Sequence, residues 1–199
     1  MIDTNEPASL GRREAVRELL RERGEGLIVT GLGSSTYDVF AAGDHEANMY
    51  LWGAMGGAAL VGLGLALAQP RRPVLVITGD GEQLMGLGGL ATIAARRPGN
   101  LTLVVLDNGQ FGETGGQRSH TGLGVDLRRI AAAAGFSSTA ELRTQVEIAD
   151  YRPELARLTG GPRYVSVKIA PGNPARALPA RDGVYLKNRF RARLGFQVN

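Results

Sequence analysis

Cysteine is absent from the chain, and lysine and histidine are scarce. Without cysteine the chain can form no disulfide, Cys-ligated zinc site or Cys-ligated iron-sulfur cluster, a composition that fits an intracellular protein. Only two of the 23 basic residues are lysines, Lys168 and Lys187, and the arginines are scattered except for a C-terminal run. The net charge of +4 is therefore a weak reason to expect nucleic-acid binding, and we expect none.

Long apolar segments are also missing. The longest, residues 58–68, is too short and too rich in glycine to span a bilayer. The first six residues are polar and acidic, unlike a signal peptide. We therefore expect a cytoplasmic protein without membrane association. With 199 residues, 43% of them hydrophobic, the chain is long enough for one sizeable core and short for two.

Apolar strands alternate with amphipathic helices along the chain, which predicts an α/β fold. We expect three layers, a mostly parallel open sheet with helices on both faces. Strands are predicted at residues 27–29, 74–77, 101–106, 138–142 and 164–169, and helices near 9–23, 36–42, 58–68, 83–96, 126–134, 148–158 and 182–194. Ser9 is the expected N-cap of the first helix, whose alternating Arg and Glu are interpreted as a solvated face.

Three segments are expected. Residues 1–24 hold the N-terminal helix, residues 25–170 form the main domain, and residues 171–199 are a C-terminal extension that docks on this domain or on a partner.

Two of the predicted strands end in polar residues. Gly79-Asp80-Gly81 follows the strand at 74–77, and Asp107-Asn108 follows the strand at 101–106. The carboxyl ends of parallel strands meet at one edge of a sheet, where ligands bind. A glycine turn before a helix favours an anion, while Asp80, the Asn108 side chain and the Gln110 backbone carbonyl offer the oxygen ligands that Mg²⁺ prefers. The pattern predicts a metal-diphosphate site.

At these residues the chain resembles the thiamine-diphosphate enzymes, whose pyrophosphate-binding domain carries Gly-Asp-Gly, a helix, a strand and an Asn-containing turn. Here 25 residues, Glu82 to Leu106, separate the two motifs. The resemblance covers about residues 27–169. It implies the thiamine-diphosphate-binding fold, with thiamine diphosphate and Mg²⁺ as cofactors.

The resemblance also implies roles for individual residues. It implies that Asp80, Asn108 and Gln110 bind the metal. It also implies that the organic cofactor is bound by the same three residues and by Ser34, Ser35, Gly53, Met55, Gly79, Gly81 and Gly112. Two positions depart from the family pattern. Asp107 stands where the family often has Asn, and Glu82 replaces a small hydroxyl residue that often touches the diphosphate, so Glu82 must point away or find a partner.

Two further segments carry implied roles. In the family a glycine carbonyl binds the exocyclic amine of the pyrimidine ring and a bulky apolar residue supports the bent cofactor, roles that map onto Gly53 and Met55. The alternative for Met55 is a core position. Residues 114–121 resemble a loop of the phosphonopyruvate and sulfopyruvate decarboxylase group. Arg118 would there suit a second substrate anion and His120 proton transfer, or both are solvated loop residues.

The family's second domain, usually on another subunit, supplies a Glu that activates the cofactor. Residues outside 27–169 are too few to build it. We therefore expect the pyrophosphate-binding subunit of a split, non-oxidative decarboxylase of a small 2-oxoacid. It would need a pyrimidine-binding alpha subunit, in a hetero-oligomer with at least two copies of each chain.

Two alternatives stay open, a carboligating or acyl-transferring enzyme of the same family and a non-catalytic nucleotide-binding domain. The sequence does not identify the 2-oxoacid, and it leaves His45 and the basic C-terminal segment without an assigned role.

Overall fold

The computed structural model describes residues 10–197, within which the chain forms eight strands and eight α-helices. The strands are β1 Leu27–Thr30, β2 Asn48–Tyr50, β3 Val74–Gly79, β4 Leu101–Asp107, β5 Gln110–Phe111, β6 Gln117–Arg118, β7 Ser138–Leu142 and β8 Arg163–Lys168. The helices are α1 Arg12–Leu20, α2 Ser34–Ala41, α3 Ala58–Ala68, α4 Asp80–Met85, α5 Gly89–Arg96, α6 Leu127–Ala134, α7 Gln145–Leu155 and α8 Gly183–Arg193.

Six strands form one sheet in the order β2-β1-β3-β4-β8-β7, and every neighbouring pair is parallel. Strands β5 and β6 form a separate antiparallel ribbon. The central strands β3 and β4 are apolar and almost wholly buried, as expected of strands covered on both faces. The predicted three-layer, mostly parallel α/β fold is confirmed.

Two apolar cores lie on opposite faces of the sheet. Helices α3, α5 and α6 pack on one face, and α1, α2 and α7 pack on the other. Helix α8 lies against the edge strand β2 and contributes Phe190 to the first core and Leu186 to the second. It covers a strand edge that would otherwise present unpaired backbone groups. Within residues 10–197, none of the helices is long and apolar enough to cross a membrane.

The helix predicted at 83–96 is wrong as a single element, because the chain breaks at Gly86-Leu87-Gly88 into α4 and α5. At Gly86 the backbone meets the backbone of Gly56, and an added Cβ would lie 2.1 Å from the Gly56 carbonyl oxygen. A close approach of two backbones requires glycine, and it interrupts the helix where it occurs.

Smaller corrections concern helix ends. Helix α1 begins at Arg12 and ends at Leu20, and the expected cap Ser9 lies outside the described residues. Helix α7 begins earlier than predicted, because Thr144 and Glu147 form a capping box. Strand β2 was not predicted. Its three residues are too few to give a periodic signal.

The prediction that the charged face of α1 is solvated is also wrong in part. Arg12 and Glu18 are both only 8% exposed. Each has an ion partner on another helix, Asp38 on α2 for Arg12 and Arg152 on α7 for Glu18. These two charged residues of α1 therefore pair with neighbouring helices, while Glu14 and Arg17 are exposed as predicted.

Candidate functional site

A cavity opens at the carboxyl end of the sheet, between the loops that follow β1, β3 and β4. The structure brings together most of the residues that the sequence singled out. Those lining the cavity are Ser34, Ser35, Met55, Gly79, Asp80, Gly81, Asn108, Gln110 and Gly112. Gly53 and His120 do not line it.

Asp80, the first residue of α4, is 2% exposed. Its Oδ2 accepts a hydrogen bond from the Ser119 hydroxyl at 2.5 Å and lies 2.8 Å from the Thr121 hydroxyl, whose single proton it shares with Asp107. Burial raises the pKa of Asp80, although the two hydroxyl donors favour the ionised form. An ionised carboxylate is therefore costly here without a cation beside it.

Asn108, which follows β4, and Gln110, the first residue of β5, line the same cavity as Asp80. The Asn108 Oδ1 accepts from the Gln110 amide at 3.0 Å. In the β5–β6 ribbon Gln110 faces Arg118, while Gly109 accepts from Ser119. Gln110 and Arg118 are thus a non-hydrogen-bonded pair, so the Gln110 carbonyl points away from the ribbon and is available to a ligand.

Asp107 precedes Asn108 and has a structural part. Its carboxylate accepts from the Thr121 hydroxyl at 2.8 Å, from the Gly109 amide at 3.0 Å and from the Lys168 ammonium at 2.5 Å. A carboxylate with these partners has little capacity left for a metal. Asp107 instead links the end of β4 to β8 and to the loop that carries Thr121.

Glu82 points away from the mouth of the cavity and finds partners, as its position requires. Its carboxylate accepts from the Thr78 hydroxyl at 2.8 Å and from the Gly56 amide at 3.3 Å, and the Leu32 amide also donates to it. Burial raises the pKa of Glu82. A Cβ at residue 31 would lie 1.7 Å from Glu82 Oε2, so Gly31 makes room for this acid.

The two serines after β1 differ in their environment. The Ser34 hydroxyl donates to Glu113 at 2.5 Å, and Arg176 holds the other oxygen of Glu113 at 3.3 Å. The Ser35 hydroxyl is buried and has no hydrogen-bond partner within residues 10–197. A buried hydroxyl without a partner is uncommon and indicates a group that a ligand completes.

Gly53 and Met55 belong to a turn with unusual backbone angles. Ala54 has a φ of 56° and Gly56 a φ of 86°. Met55 lines the cavity and is 43% exposed, while Gly53 is exposed outside it. A left-handed alanine costs about 1–2 kcal/mol, a strain that commonly accompanies functional segments.

His120 and Arg118 are exposed and do not line the cavity. The His120 ring stands edge-on to Phe111 with the ring centroids 6.3 Å apart. The part that the resemblance implies for each remains a prediction.

The donors around the cavity fit a hard cation with a diphosphate. The carboxylate of Asp80, the amide carbonyl of Asn108 and the Gln110 carbonyl are all oxygens, the set that Mg²⁺ takes. In the described part of the chain there is no group of three or more His, Cys, Asp or Glu side chains that would hold another metal. The partnerless Ser35 hydroxyl offers a donor for a phosphate oxygen.

Sequence reasoning missed three residues near the site. Arg12 lines the cavity from α1, Glu113 binds Ser34, and Asn173 donates to the Gly112 carbonyl at 2.9 Å. Each lies far in sequence from the residue it contacts, and no local pattern indicates such a contact.

Comparison with known proteins identifies one matching family model and several similar enzymes. The family model described as "Thiamine pyrophosphate enzyme, C-terminal TPP binding domain" matches residues 32–169. A phosphonopyruvate decarboxylase of Streptomyces viridochromogenes is 40% identical over 91% of this chain and 45% of its own length. Sulfopyruvate decarboxylase subunit beta of Methanothermobacter thermautotrophicus is 38% identical over 91% of this chain and 94% of its own length.

Among solved structures, the 2-oxoglutarate:ferredoxin oxidoreductase of Magnetococcus marinus is similar in fold, with a TM-score of 0.67 at 19% identity over 96% of this chain and 78% of that chain. The chain thus spans less than half the length of the phosphonopyruvate decarboxylase and nearly all of the beta subunit.

Proposed function

We propose a function on the basis of family, since this chain belongs to the thiamine pyrophosphate enzymes and contains their C-terminal TPP binding domain. It is the pyrophosphate-binding subunit of a two-subunit, non-oxidative 2-oxoacid decarboxylase. Its substrate class is a 2-oxoacid with a second anionic group, as in sulfopyruvate or phosphonopyruvate. The active site lies between this chain and a pyrimidine-binding alpha subunit that supplies the activating Glu. The assembly holds at least two copies of each chain and is cytoplasmic.

The observation that carries the proposal is the set of oxygen donors at the carboxyl edge of the sheet. Asp80, Asn108 and Gln110 would hold Mg²⁺, and the buried Ser35 hydroxyl would donate to the diphosphate. Bound thiamine diphosphate supplies the electron sink that accepts the electron pair left when a 2-oxoacid loses CO₂. Met55 would support the organic part of the cofactor from the side of the cavity.

The surface beside the cavity supports a partner subunit. Helix α3 is apolar all round and has Leu60, Val61 and Leu67 more than 40% exposed. Met55, on the turn before α3, and Met85, the last residue of α4, are also exposed. A helix that is apolar on every side is normally buried, so an exposed one indicates an interface. The relative matched over nearly its whole length is named as a beta subunit, which also supports a two-subunit enzyme.

Calorimetry tests the proposal directly. Thiamine diphosphate and Mg²⁺ are titrated into this chain alone and into the chain mixed with the protein encoded next to it. We expect binding that appears or tightens with that neighbour, followed by CO₂ release from sulfopyruvate or phosphonopyruvate. A complex that binds thiamine diphosphate but decarboxylates neither acid contradicts the substrate class. Absence of cofactor binding in both samples contradicts the whole proposal.

A further inference from the structure

The cavity has an unusual balance of charge. Three acids line it, Asp80, Glu82 and Glu113, and within residues 10–197 its only basic lining residue is Arg12. The Glu82 carboxylate is turned towards Thr78 and Gly56, so a diphosphate that enters the cavity meets the negative charge of Asp80 and Glu113. The cation at Asp80 offsets part of this repulsion, and a basic side chain in the wall offsets more.

Arg12 is held in place from behind. Its Nε donates to Asp38 on α2 at 2.5 Å, and both side chains are buried, at 8% and 2% exposure. This is the only hydrogen bond of the Arg12 side chain to the described residues. A guanidinium has five N–H donors, so most of them remain for another acceptor.

Asp38 also pairs with a second arginine, so its one negative charge is shared between two positive charges. The Arg13 Nε lies 3.5 Å from the other carboxylate oxygen of Asp38. Two guanidinium groups therefore face one carboxylate, and a positive charge is left over beside the cavity. Arg13 itself does not line the cavity, and it donates to the Ala175 carbonyl.

A second feature of the same wall needs a ligand. Ser35 is only 3% exposed, and its hydroxyl has no hydrogen-bond partner in the described part of the chain. Ser35 and Asp38 are both on α2, so the residue that fixes Arg12 and the unpartnered donor share one helix. The start of α1 is pinned to this edge of the sheet, since the Ala170 amide donates to the Leu10 carbonyl at 2.8 Å.

From this geometry we infer that Arg12 is a cofactor-binding residue: its guanidinium, oriented by Asp38, binds the terminal phosphate of the diphosphate together with the Ser35 hydroxyl. The inference rests on the proposed function for the identity of the ligand. A guanidinium forms paired, charge-assisted hydrogen bonds to phosphate, which a lysine would not reproduce. The N-terminal helix would then belong to the cofactor site.

The test measures binding and does not depend on turnover. Inorganic pyrophosphate with Mg²⁺, thiamine diphosphate with Mg²⁺, and thiamine are titrated by calorimetry into the complex of this chain with its partner subunit. Arg12→Gln should weaken pyrophosphate and thiamine diphosphate about 10- to 100-fold, as expected for loss of charge-assisted hydrogen bonds, and leave thiamine unchanged. Arg12→Lys should recover part of the affinity. Arg13→Gln, the matched control, removes the same surplus charge but no donor from the cavity wall, so it isolates the effect of net charge and should weaken affinity less than about threefold.

Arg12→Gln leaves Asp38 with one ion partner, so the fold needs its own control. The double variant Arg12→Gln/Asp38→Asn removes one positive and one negative charge together. We expect it to melt close to the unsubstituted protein without ligand and still to bind pyrophosphate weakly.

Three results overturn the inference while the proposed function stands: wild-type pyrophosphate affinity in Arg12→Gln, an equal loss in Arg13→Gln, or a change confined to the KM for the 2-oxoacid. Failure of the unsubstituted complex to bind thiamine diphosphate overturns the proposed function itself, and the inference with it.

Discussion

Replacing Asp80 by Asn distinguishes two effects of the buried charge, its cost to folding stability and its contribution to cofactor binding. Asn keeps the shape of the side chain and removes the charge. In the cofactor-free protein, burial raises the pKa of Asp80, so the ionised form is disfavoured where it stands. The two hydroxyl donors keep partners, since Ser119 contacts Thr121 at 2.8 Å and Thr121 contacts Asp107 at 2.8 Å. We expect the free energy of unfolding without ligand to change by about 1 kcal/mol or less.

Cofactor binding should change far more. A ligand at 100 times its Kd stabilises the folded protein by about 2.7 kcal/mol, which raises Tm by roughly 5–10 °C for a chain of this size. Replacing a residue that only supports a metal ligand typically weakens metal affinity about 10- to 100-fold. We therefore expect the loss of a direct ligand to raise the Kd at least about 100-fold. The same ligand concentration then gives about 0.4 kcal/mol, or a Tm rise of roughly 1–2 °C.

The assay is thermal unfolding with and without thiamine diphosphate and Mg²⁺. Asp150→Asn, at an exposed position of α7, is the matched control and should retain the full ligand-induced shift. A full shift in Asp80→Asn would refute the metal assignment. A loss of several kcal/mol without ligand would refute the argument that the buried charge is unfavourable in the empty site.

Three other predictions concern the loops around the cavity. Gly86→Ala should cost about 1–3 kcal/mol and lower turnover, because its Cβ would collide with Gly56, while Gly88→Ala, with open space at that position, should be nearly neutral in chemical unfolding. Met55→Ala should reduce turnover of the complex and change pyrophosphate affinity less than about threefold, and equal losses in both would contradict a role beside the organic part of the cofactor. Because burial raises the pKa of Glu82 above its ordinary value of 4.5, the folded state holds that proton more tightly, and the contribution of Glu82 to stability is present at low pH and is lost as pH rises above that value. Glu82→Gln should flatten this slope in unfolding between about pH 4 and pH 7, and an unchanged slope would assign it to other groups.

Local sequence signals predicted most of the fold. The apolar runs of β3 and β4 are buried strands, and α3 spans the predicted residues. Asp126 and Gly135 cap α6 as their residue types favour. These signals depend on neighbours within one turn or one strand, so the sequence contains all the information that they need.

Contacts between distant segments could not be predicted in this way. The break between α4 and α5 depends on Gly56, 30 residues before Gly86. The burial of Arg12 depends on Asp38, which lies on another helix. In both cases the local pattern favoured the ordinary outcome, a continuous helix and a solvated arginine, and tertiary packing decided otherwise.

Glu82 shows how a departure from the family pattern is accommodated by several positions at once. An acid beside a diphosphate would repel it, yet here the carboxylate turns to Thr78 and to the amide of Gly56. It fits only because residue 31 is glycine and leaves the space. The acid thereby ties the loop after β1, which carries the serines, to the turn that carries Met55. A substitution that is unfavourable when considered alone thus becomes a link between two loops that line the cavity.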